Sequence, residues 1–178
     1  MTLDLESPAF ADGSLIPTDA TEDGLDQSPT LSWLGVPPET VEFALVLEDL
    51  DAPAREPWVH WLVWKIPPTW SGLPAGFHGR TVPEKCESLR QGMNTWGTPG
   101  YRGPAPPRGG GPHHYHFRLF ALEEPLVVPA GANKRDLMKA IKHHTVAEAK
   151  LVGIYERTRK AAITPGMPAG SRLRNPDA

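Results

Sequence analysis

A run of aromatic and β-branched residues from Trp58 to Ile66 is the feature that most narrows the folds open to this chain. The run is nearly continuous in apolar side chains, so both faces of a strand formed from it would be apolar. Pro67 and Pro68 follow it directly, and proline cannot continue a hydrogen-bonded strand ladder. The run therefore predicts a central strand that is buried on both faces.

Two further segments alternate with the period of a β-strand. The first places an apolar row on one face of a strand, formed by Val41, Phe43, Leu45 and Leu47. The second, from His113 to Leu122, separates two sets of side chains. One face carries His113, Tyr115, Phe117 and Leu119, and the other carries His114, His116, Arg118 and Phe120. These segments predict two more core strands.

The remaining segments predict loops, one helix and a short closing strand. Residues 1–27 suggest a short strand and loops, and residues 74–111 hold no period and are expected to be a functional loop or a linker. Asn133 can cap a helix that ends near Ala149, and Leu151–Tyr155 predicts a closing strand.

Composition supports a mainly β protein with one domain. A chain of 178 residues fits one domain, and its 21 Pro and 17 Gly indicate many turns. No repeat or compositional break divides the chain. We predict a single domain over residues 1–157 and a disordered tail over residues 158–178, which are rich in Pro and poor in large apolar residues.

Charge and cysteine content exclude several classes of partner. A net charge of −3 offers no general attraction to nucleic acid or to an anionic membrane surface. The single cysteine, Cys86, cannot form an internal disulfide. No signal sequence and no apolar stretch long enough to span a membrane is found. We predict a cytoplasmic protein without an integral membrane segment.

The first group of candidate residues surrounds His60. Asp49 and Asp51 follow one predicted strand, and strand alternation places His60 on the same face as Trp58, Leu62 and Trp64. The two acids are either plain turn formers beside a core histidine or a source of the carboxylate that orients His60 toward a ligand. These residues alone favour the first interpretation.

The second group is a loop rich in Gly and Pro, residues 100–111, followed by His113 and Tyr115. Such a loop can bring the backbone close to a ligand, although its prolines lack N–H donors. It also lacks the Gly-Lys-Ser/Thr ending of a nucleotide-binding loop. His114 and His116 are a weak metal signal, since no third ligand lies nearby. No Ser, Cys or Thr has the surroundings of a catalytic nucleophile.

Taken together, these motifs resemble the phosphatidylethanolamine-binding protein family, and its bacterial Raf-kinase-inhibitor-like branch is the most similar. The resemblance covers roughly residues 5–157. It rests on five motifs in one order: Ser28-Pro29-x-Leu31-x-Trp33; Asp49-x-Asp51-Ala52-Pro53; Trp58-x-His60-Trp61; Gly100-Tyr101-x-Gly103-Pro104-x-Pro106-Pro107; and His113-x-Tyr115-x-Phe117.

The resemblance implies a Greek-key β-sandwich of two antiparallel sheets with a few peripheral helices. It also implies a small cavity that takes phosphate-like or carboxylate groups, and a cis peptide bond between Glu56 and Pro57. The ligand-binding residues carried over by motif are Asp49, Asp51, Trp58, His60, Tyr101, Gly103, Pro106, Pro107, His113 and Tyr115.

We therefore expect a non-enzymatic binding protein without a cofactor, whose ligand is phosphate, acetate or a phospholipid headgroup. It would modulate a kinase or protease partner. The oligomeric state is left open, and a homodimer is one of the alternatives. Two alternatives stay open as well. One is a hydrolase or isomerase that uses Asp49, His60 and His113 as acid, base and electrostatic stabiliser. The other is a metal site formed by the same carboxylate and two histidines.

Overall fold

Two β-sheets and one α-helix form the part of the chain that the computed structural model describes, residues 2–159. The smaller sheet has three strands in the order β1-β3-β6, and the larger has six in the order β2-β9-β8-β4-β5-β7. Strands β1 to β9 span Asp4–Glu6, Ser14–Leu15, Leu31–Leu34, Glu42–Asp49, Trp58–Ile66, Gly72–Leu73, Arg90–Gln91, His113–Leu122 and Thr145–Tyr155. Helix α1 spans Lys134–Ile141, and a 3-10 turn spans Thr18–Ala20.

The topology confirms the predicted mainly β fold with two sheets. Strands β4 and β5 are antiparallel neighbours, and the long connection after β5 returns the chain to the other side of β4, where β8 pairs. This return is the Greek-key link. One pair departs from the antiparallel pattern, because the two residues of β2 lie parallel to β9. The described part of the chain contains a single α-helix, whereas a few peripheral helices were expected.

The central strands β4 and β5 of the larger sheet are buried on both faces. On one face, Leu45 and Phe117 pack against Leu5 and Trp33 of the smaller sheet. On the other face, Val46, Leu62 and Trp64 of the sheet form a cluster with Leu137 and Ile141 of α1. The prediction that β5 is buried on both faces is confirmed. Strand β4 was expected to carry one apolar row, but it is buried on both faces as well.

The predicted helix begins as expected but ends earlier. The side chain of Asn133 accepts a hydrogen bond from the backbone N–H of Asp136, which confirms the predicted cap. The helix ends at Ile141, not near Ala149, and the chain is already extended at Thr145. Thr145 and Val146 are β-branched, and pairing with β8 along the whole of β9 stabilises the strand instead.

Three further expectations concern the backbone and the ends of the chain. The peptide bond before Pro57 is trans, so the prediction of a cis bond is wrong. Trans is the favoured isomer, and the surrounding segment is largely exposed and does not select the other one. The predicted tail lies outside the described residues from position 160 onward. None of the helices in the described part of the chain has the length and apolar character needed to span a bilayer.

Candidate functional site

The candidate site lies at one end of the three central strands of the larger sheet. Strand β4 ends at Asp49, and its neighbours β5 and β8 begin at Trp58 and His113. Antiparallel pairing places Asp49 directly opposite both Trp58 and Tyr115. Residues far apart in the sequence therefore meet at one end of the sheet, beside the core between the two sheets.

A cavity of about 300 Å³ opens at this end. Its volume is at the small end of the range for ligand pockets, which suits a small group better than a large cofactor. Seven of the predicted site residues line it: Asp49, Trp58, His60, Pro106, Pro107, His113 and Tyr115. Six residues that were not predicted complete the lining: Glu22, Ala52, Pro53, Ala54, Trp96 and Ala105.

His60 reaches the cavity because β5 contains a bulge. The pairing with β4 shifts register between Leu47 and Glu48, so that Trp61 pairs with Leu47 and Val59 with Glu48. His60 is the extra residue between them. The expectation that His60 shares a face with Leu62 and Trp64 is therefore wrong. Those two side chains pack under α1, whereas His60 lines the cavity on the opposite face.

Asp49 and His113 form a buried pair in the cavity wall. The Nδ1 atom of His113 lies 2.7 Å from Oδ2 of Asp49, and both side chains are more than nine-tenths buried. A carboxylate accepts hydrogen bonds, so Nδ1 carries the proton and donates it. The other oxygen of Asp49 accepts a hydrogen bond from the backbone N–H of Asp51 at 2.8 Å. Both carboxylate oxygens are thus engaged, and the orientation of the His113 ring is set.

His60 and Tyr115 are held in uncharged forms by burial. The Nδ1 atom of His60 lies 2.7 Å from the carbonyl oxygen of Arg102, and burial lowers the pKa of His60 to about 4. Burial, reinforced by the negative charge of Asp49, raises the pKa of Tyr115 well above its ordinary value. The hydroxyl of Tyr115 is buried and makes no hydrogen bond of good geometry within residues 2–159, although it lies near enough to the Asp49 carboxylate for their contact to raise its pKa further. It is a donor available to a ligand.

The mouth of the cavity is formed by residues that sequence reasoning missed. The Trp96 ring lies 5.0 Å from the His60 ring and 5.5 Å from the Trp58 ring, centre to centre. The guanidinium of Arg102 stacks over Trp96 at 4.8 Å and donates a hydrogen bond to Glu22 at 2.7 Å. This bond lowers the pKa of Glu22. An aromatic residue in the aperiodic stretch was a usable signal for Trp96, but nothing in the acidic N-terminal segment singles out Glu22.

Three of the predicted site residues do not line the cavity. Asp51 faces outward, where its carboxylate accepts hydrogen bonds from the backbone and ring nitrogens of His114. Tyr101 is buried behind the wall and donates its hydroxyl proton to the carbonyl oxygen of Ala20. Gly103 donates its N–H to Asp26 at 2.6 Å. Tyr101 and Gly103 join the wall to the N-terminal loops.

The predicted metal ligands are not arranged around a common centre. Within residues 2–159, no group of three or more His, Cys, Asp or Glu side chains is placed to hold a metal ion. Asp49 is engaged by His113 and by a backbone N–H, and the ring of His60 is held by the carbonyl of Arg102. The geometry of these residues does not support the metal alternative.

The fold and the site belong to one class of protein: β-sandwiches with a small cavity, mostly apolar with a few polar groups, at the end of the central strands. The sequence profile of the family described as phosphatidylethanolamine-binding protein matches residues 6–156. This chain belongs to that family.

Individual relatives cover the same part of the chain. A UPF0098 protein of Methanothermobacter thermautotrophicus is 43% identical over 158 residues, which are 87% of this chain and 99% of the relative. Among solved structures, YbcL of Escherichia coli is described as a member of the mammalian PEBP family. It has 30% identity and a TM-score of 0.81, covering 88% of this chain and 99% of YbcL. A PEBP homologue of Chlamydia trachomatis has 36% identity and a TM-score of 0.78, covering 88% of this chain and 98% of its own.

Proposed function

We propose that this protein binds a small anionic group in the cavity and acts as a binding protein, not as an enzyme. One observation carries the proposal: the buried hydroxyl of Tyr115 has no partner among the described residues and lines the cavity beside His113. A buried donor without a partner is unfavourable unless a ligand or water satisfies it. The ring of His113, oriented by Asp49, supplies a second polar atom at the same place.

The chemistry of these groups suits an oxyanion of modest size. Phosphate, acetate and a phospholipid headgroup all present oxygen atoms that accept hydrogen bonds. A hydrogen bond to a charged group contributes about 1.5 to 3 kcal/mol. Two or three such bonds, less the free energy lost on ordering the ligand, correspond to a dissociation constant in the micromolar to millimolar range. The small cavity volume is consistent with a headgroup-sized ligand.

An enzymatic role is the second candidate, and the pairing of Asp49 with His113 is the observation that favours it. A histidine oriented by a carboxylate is the usual arrangement of a general base. However, the residues that line the cavity include no Ser, Thr, Cys or Lys that such a base would activate. The hydroxyl of Tyr115 has a raised pKa, which disfavours its use as a nucleophile. Binding without catalysis is therefore the better-supported function.

The biological context of binding is part of the same proposal. Modulation of a kinase or protease, recognition of a lipid headgroup, a homodimer and a cytoplasmic location stay predictions. Each would build on the cavity, because a phosphorylated or acidic segment of a partner carries the same anionic groups as a free ligand.

A titration of phosphate and of acetate, followed by NMR of the histidine ring protons, tests the proposal. We expect saturable shifts of His60 and His113 in the wild type and a loss of saturation in His113→Phe. His114→Phe is the matched control, because the neighbouring ring on the same strand points outward and is exposed. If neither anion produces a saturable shift in the wild type, the proposed function is wrong.

A further inference from the structure

The peptide unit between Arg102 and Gly103 is held from opposite sides by two side chains. Its carbonyl oxygen lies 2.7 Å from Nδ1 of His60, and its N–H donates to Oδ1 of Asp26 at 2.6 Å. A carbonyl oxygen only accepts hydrogen bonds, so Nδ1 of His60 carries the proton. One peptide unit therefore connects the carboxylate of Asp26, which does not line the cavity, to a ring that does.

The backbone of Asp26 is anchored on both sides. Its N–H donates to the carbonyl oxygen of Thr21 at 3.1 Å, and its own carbonyl oxygen accepts a hydrogen bond from Nδ1 of His78 at 2.7 Å. Asp26 has a φ of 54°, in the left-handed region, which Asp and Asn tolerate better than most residues with a side chain. The carboxylate therefore meets Gly103 from a fixed position.

The backbone of Gly103 itself permits two orientations of this peptide unit. A half-turn of the peptide changes the φ of Gly103, and glycine adopts either sign of φ. The flipped peptide would direct its N–H at His60 and its carbonyl oxygen at Asp26. A carboxylate has no proton to donate, so two acceptors would then face each other in a partly buried place. The carboxylate of Asp26 thus disfavours the flipped orientation.

We propose that Asp26 is a positioning residue of the cavity: by accepting the N–H of Gly103, it fixes the peptide unit and thereby the tautomer of His60. With the peptide as observed, the ring proton is on Nδ1. With a flipped peptide, Nδ1 would accept the N–H of Gly103 and the proton would be on Nε2. This inference rests on the proposed binding function, and it adds a residue from outside the cavity lining.

The other influences on the His60 ring agree with this role. Burial lowers the pKa of His60 to about 4, although hydrogen bonds with the backbone of Arg102 and of Gly103 act in the opposite direction, and the bond with Arg102 has the larger effect of the two. The ring is therefore neutral near neutral pH. A neutral imidazole carries one N–H, and its backbone partners decide which nitrogen holds it.

Other contacts hold the two loops together independently of Asp26. The backbone N–H of Glu22 donates to the carbonyl oxygen of Pro104 at 3.1 Å, and the hydroxyl of Tyr101 donates to the carbonyl oxygen of Ala20. A variant of Asp26 can therefore keep the loops docked and still release the peptide. The positioning role is thus separable from that of a simple tether.

Asp26→Asn separates the two roles. The amide tolerates the left-handed backbone, and it can either accept from the N–H of Gly103 or donate to the carbonyl oxygen of a flipped peptide. The tether is kept, so urea unfolding should show little change, but the preference for one orientation is lost. In ¹⁵N spectra of the His60 ring, we expect the Nε2–H tautomer to rise from below about 1% in the wild type to above about 10%.

Two further variants complete the test. Asp26→Gly removes the acceptor without straining the left-handed backbone, and it should raise the Nε2–H fraction as well. Asp23→Asn is the matched control, because it removes the same charge from the same loop, whereas its hydrogen bonds are with Tyr155 and Arg157. It should keep the wild-type tautomer. Should Asp26→Gly fail to fold, Asp26→Asn still decides the question.

A phosphate titration of the same proteins measures whether the tautomer matters for binding. When one form of a protein is competent to bind, the apparent dissociation constant rises in inverse proportion to the fraction of that form. We expect Asp26→Gly to bind phosphate about threefold more weakly than Asp23→Asn, which lacks the same charge.

An Nε2–H fraction that stays at the wild-type level in both Asp26 variants overturns the inference, and so does an equal rise in Asp23→Asn. A changed tautomer with unchanged phosphate affinity overturns it too, because Asp26 would then not act on the ligand site. If the wild type shows no saturable response to phosphate, the proposed function is wrong instead, and the tautomer ratios of the unliganded variants still test the action of Asp26 on His60.

Discussion

The Nδ1 atom of His113 lies 2.7 Å from Oδ2 of Asp49, although the two residues are 64 positions apart in the sequence. The next histidine, His114, makes a hydrogen bond of the same length with Asp51. The first pair is buried, whereas the side chains of the second are 46% and 44% exposed. Two pairs of the same residue types thus differ mainly in burial, which allows the effect of burial on stability to be measured.

Loss of the buried pair should destabilise the protein. His113→Phe leaves the Asp49 carboxylate buried with one hydrogen bond fewer, and we expect the free energy of unfolding to fall by about 2 kcal/mol. Urea unfolding measures this value. Adding Asp49→Leu to His113→Phe should restore part of the loss, because the buried carboxylate that lost its charged partner is then removed as well.

The exposed pair provides the control for this prediction. His114→Phe should change the free energy of unfolding by less than about 0.5 kcal/mol, because water replaces the lost partner of Asp51. Equal losses in His113→Phe and His114→Phe would show that burial of the Asp49 pair does not contribute as proposed.

Gly103 allows the wall of the cavity to approach the N-terminal loop. A methyl group at this position would overlap the carbonyl oxygen of Ala20 and crowd the Cα of Thr21. Because backbone atoms cannot give way cheaply, Gly103→Ala should lower the free energy of unfolding by about 2 kcal/mol. It should also weaken phosphate binding, since the same wall carries Pro106 and Pro107.

The control for Gly103 lies in the same loop. At Gly110 the nearest atom to an added methyl group is the carbonyl oxygen of Pro107, at 3.2 Å, and a shift of a few tenths of an ångström in this exposed loop relieves the contact. We therefore expect Gly110→Ala to be tolerated in both urea unfolding and phosphate titration. Equal stability of Gly103→Ala and the wild type would show that the close approach is not required.

His60 should make stability depend on pH in a defined window. Its pKa is about 4 in the folded protein, against 6.5 for the unperturbed side chain. Between these values the unfolded chain binds a proton that the folded protein does not bind. Stability from this source is therefore complete above the unfolded pKa and is lost as pH falls, by at most about 1.4 kcal/mol per pH unit.

Urea unfolding between these pH values, on the wild type and on His60→Phe, measures the effect. The free energy of unfolding of His60→Phe should fall less steeply as pH decreases. The difference in slope should correspond to at most one bound proton. The hydrogen bond with Arg102 lowers the pKa of Glu22, so Glu22 also stabilises the folded protein. That stabilisation is lost only as pH falls below the unfolded pKa of 4.5, which lies mostly outside the window of His60. An identical slope in both proteins would mean that His60 is protonated in the folded state.

Glu22 should weaken anion binding, because its carboxylate lines the mouth of the cavity. Glu22→Gln removes this negative charge, and we expect phosphate affinity to rise about threefold at low ionic strength and less in high salt. Asp23→Asn is the control, since Asp23 bonds with Tyr155 and Arg157 and does not line the cavity. A fall in phosphate affinity in Glu22→Gln would instead indicate that Glu22 positions Arg102 for the ligand.

The central strands and the helix cap are properties of local sequence. Alternation along His113–Leu122 places His113 and Tyr115 on one face of β8, and the apolar run of β5 indicates burial on both faces. The cap at Asn133 depends on one side chain and one nearby N–H. Such features need only the residues within a few positions. The match of several motifs to one family then indicated the fold and seven of the lining residues.

Strand register, the end of α1 and the docking of loops depend on contacts between distant segments, so only the tertiary structure revealed them. The bulge that turns His60 into the cavity exists only in the pairing of β5 with β4, so strand alternation placed this residue on the wrong face. The end of α1 follows from the pairing of β9 with β8, which overrides helical spacing. Glu22 and Trp96 join the cavity through contacts with Arg102. Glu22 and Arg102 are 80 positions apart in the sequence. Side-chain periodicity is set by the backbone of one strand, whereas register and loop docking are set by packing between distant segments.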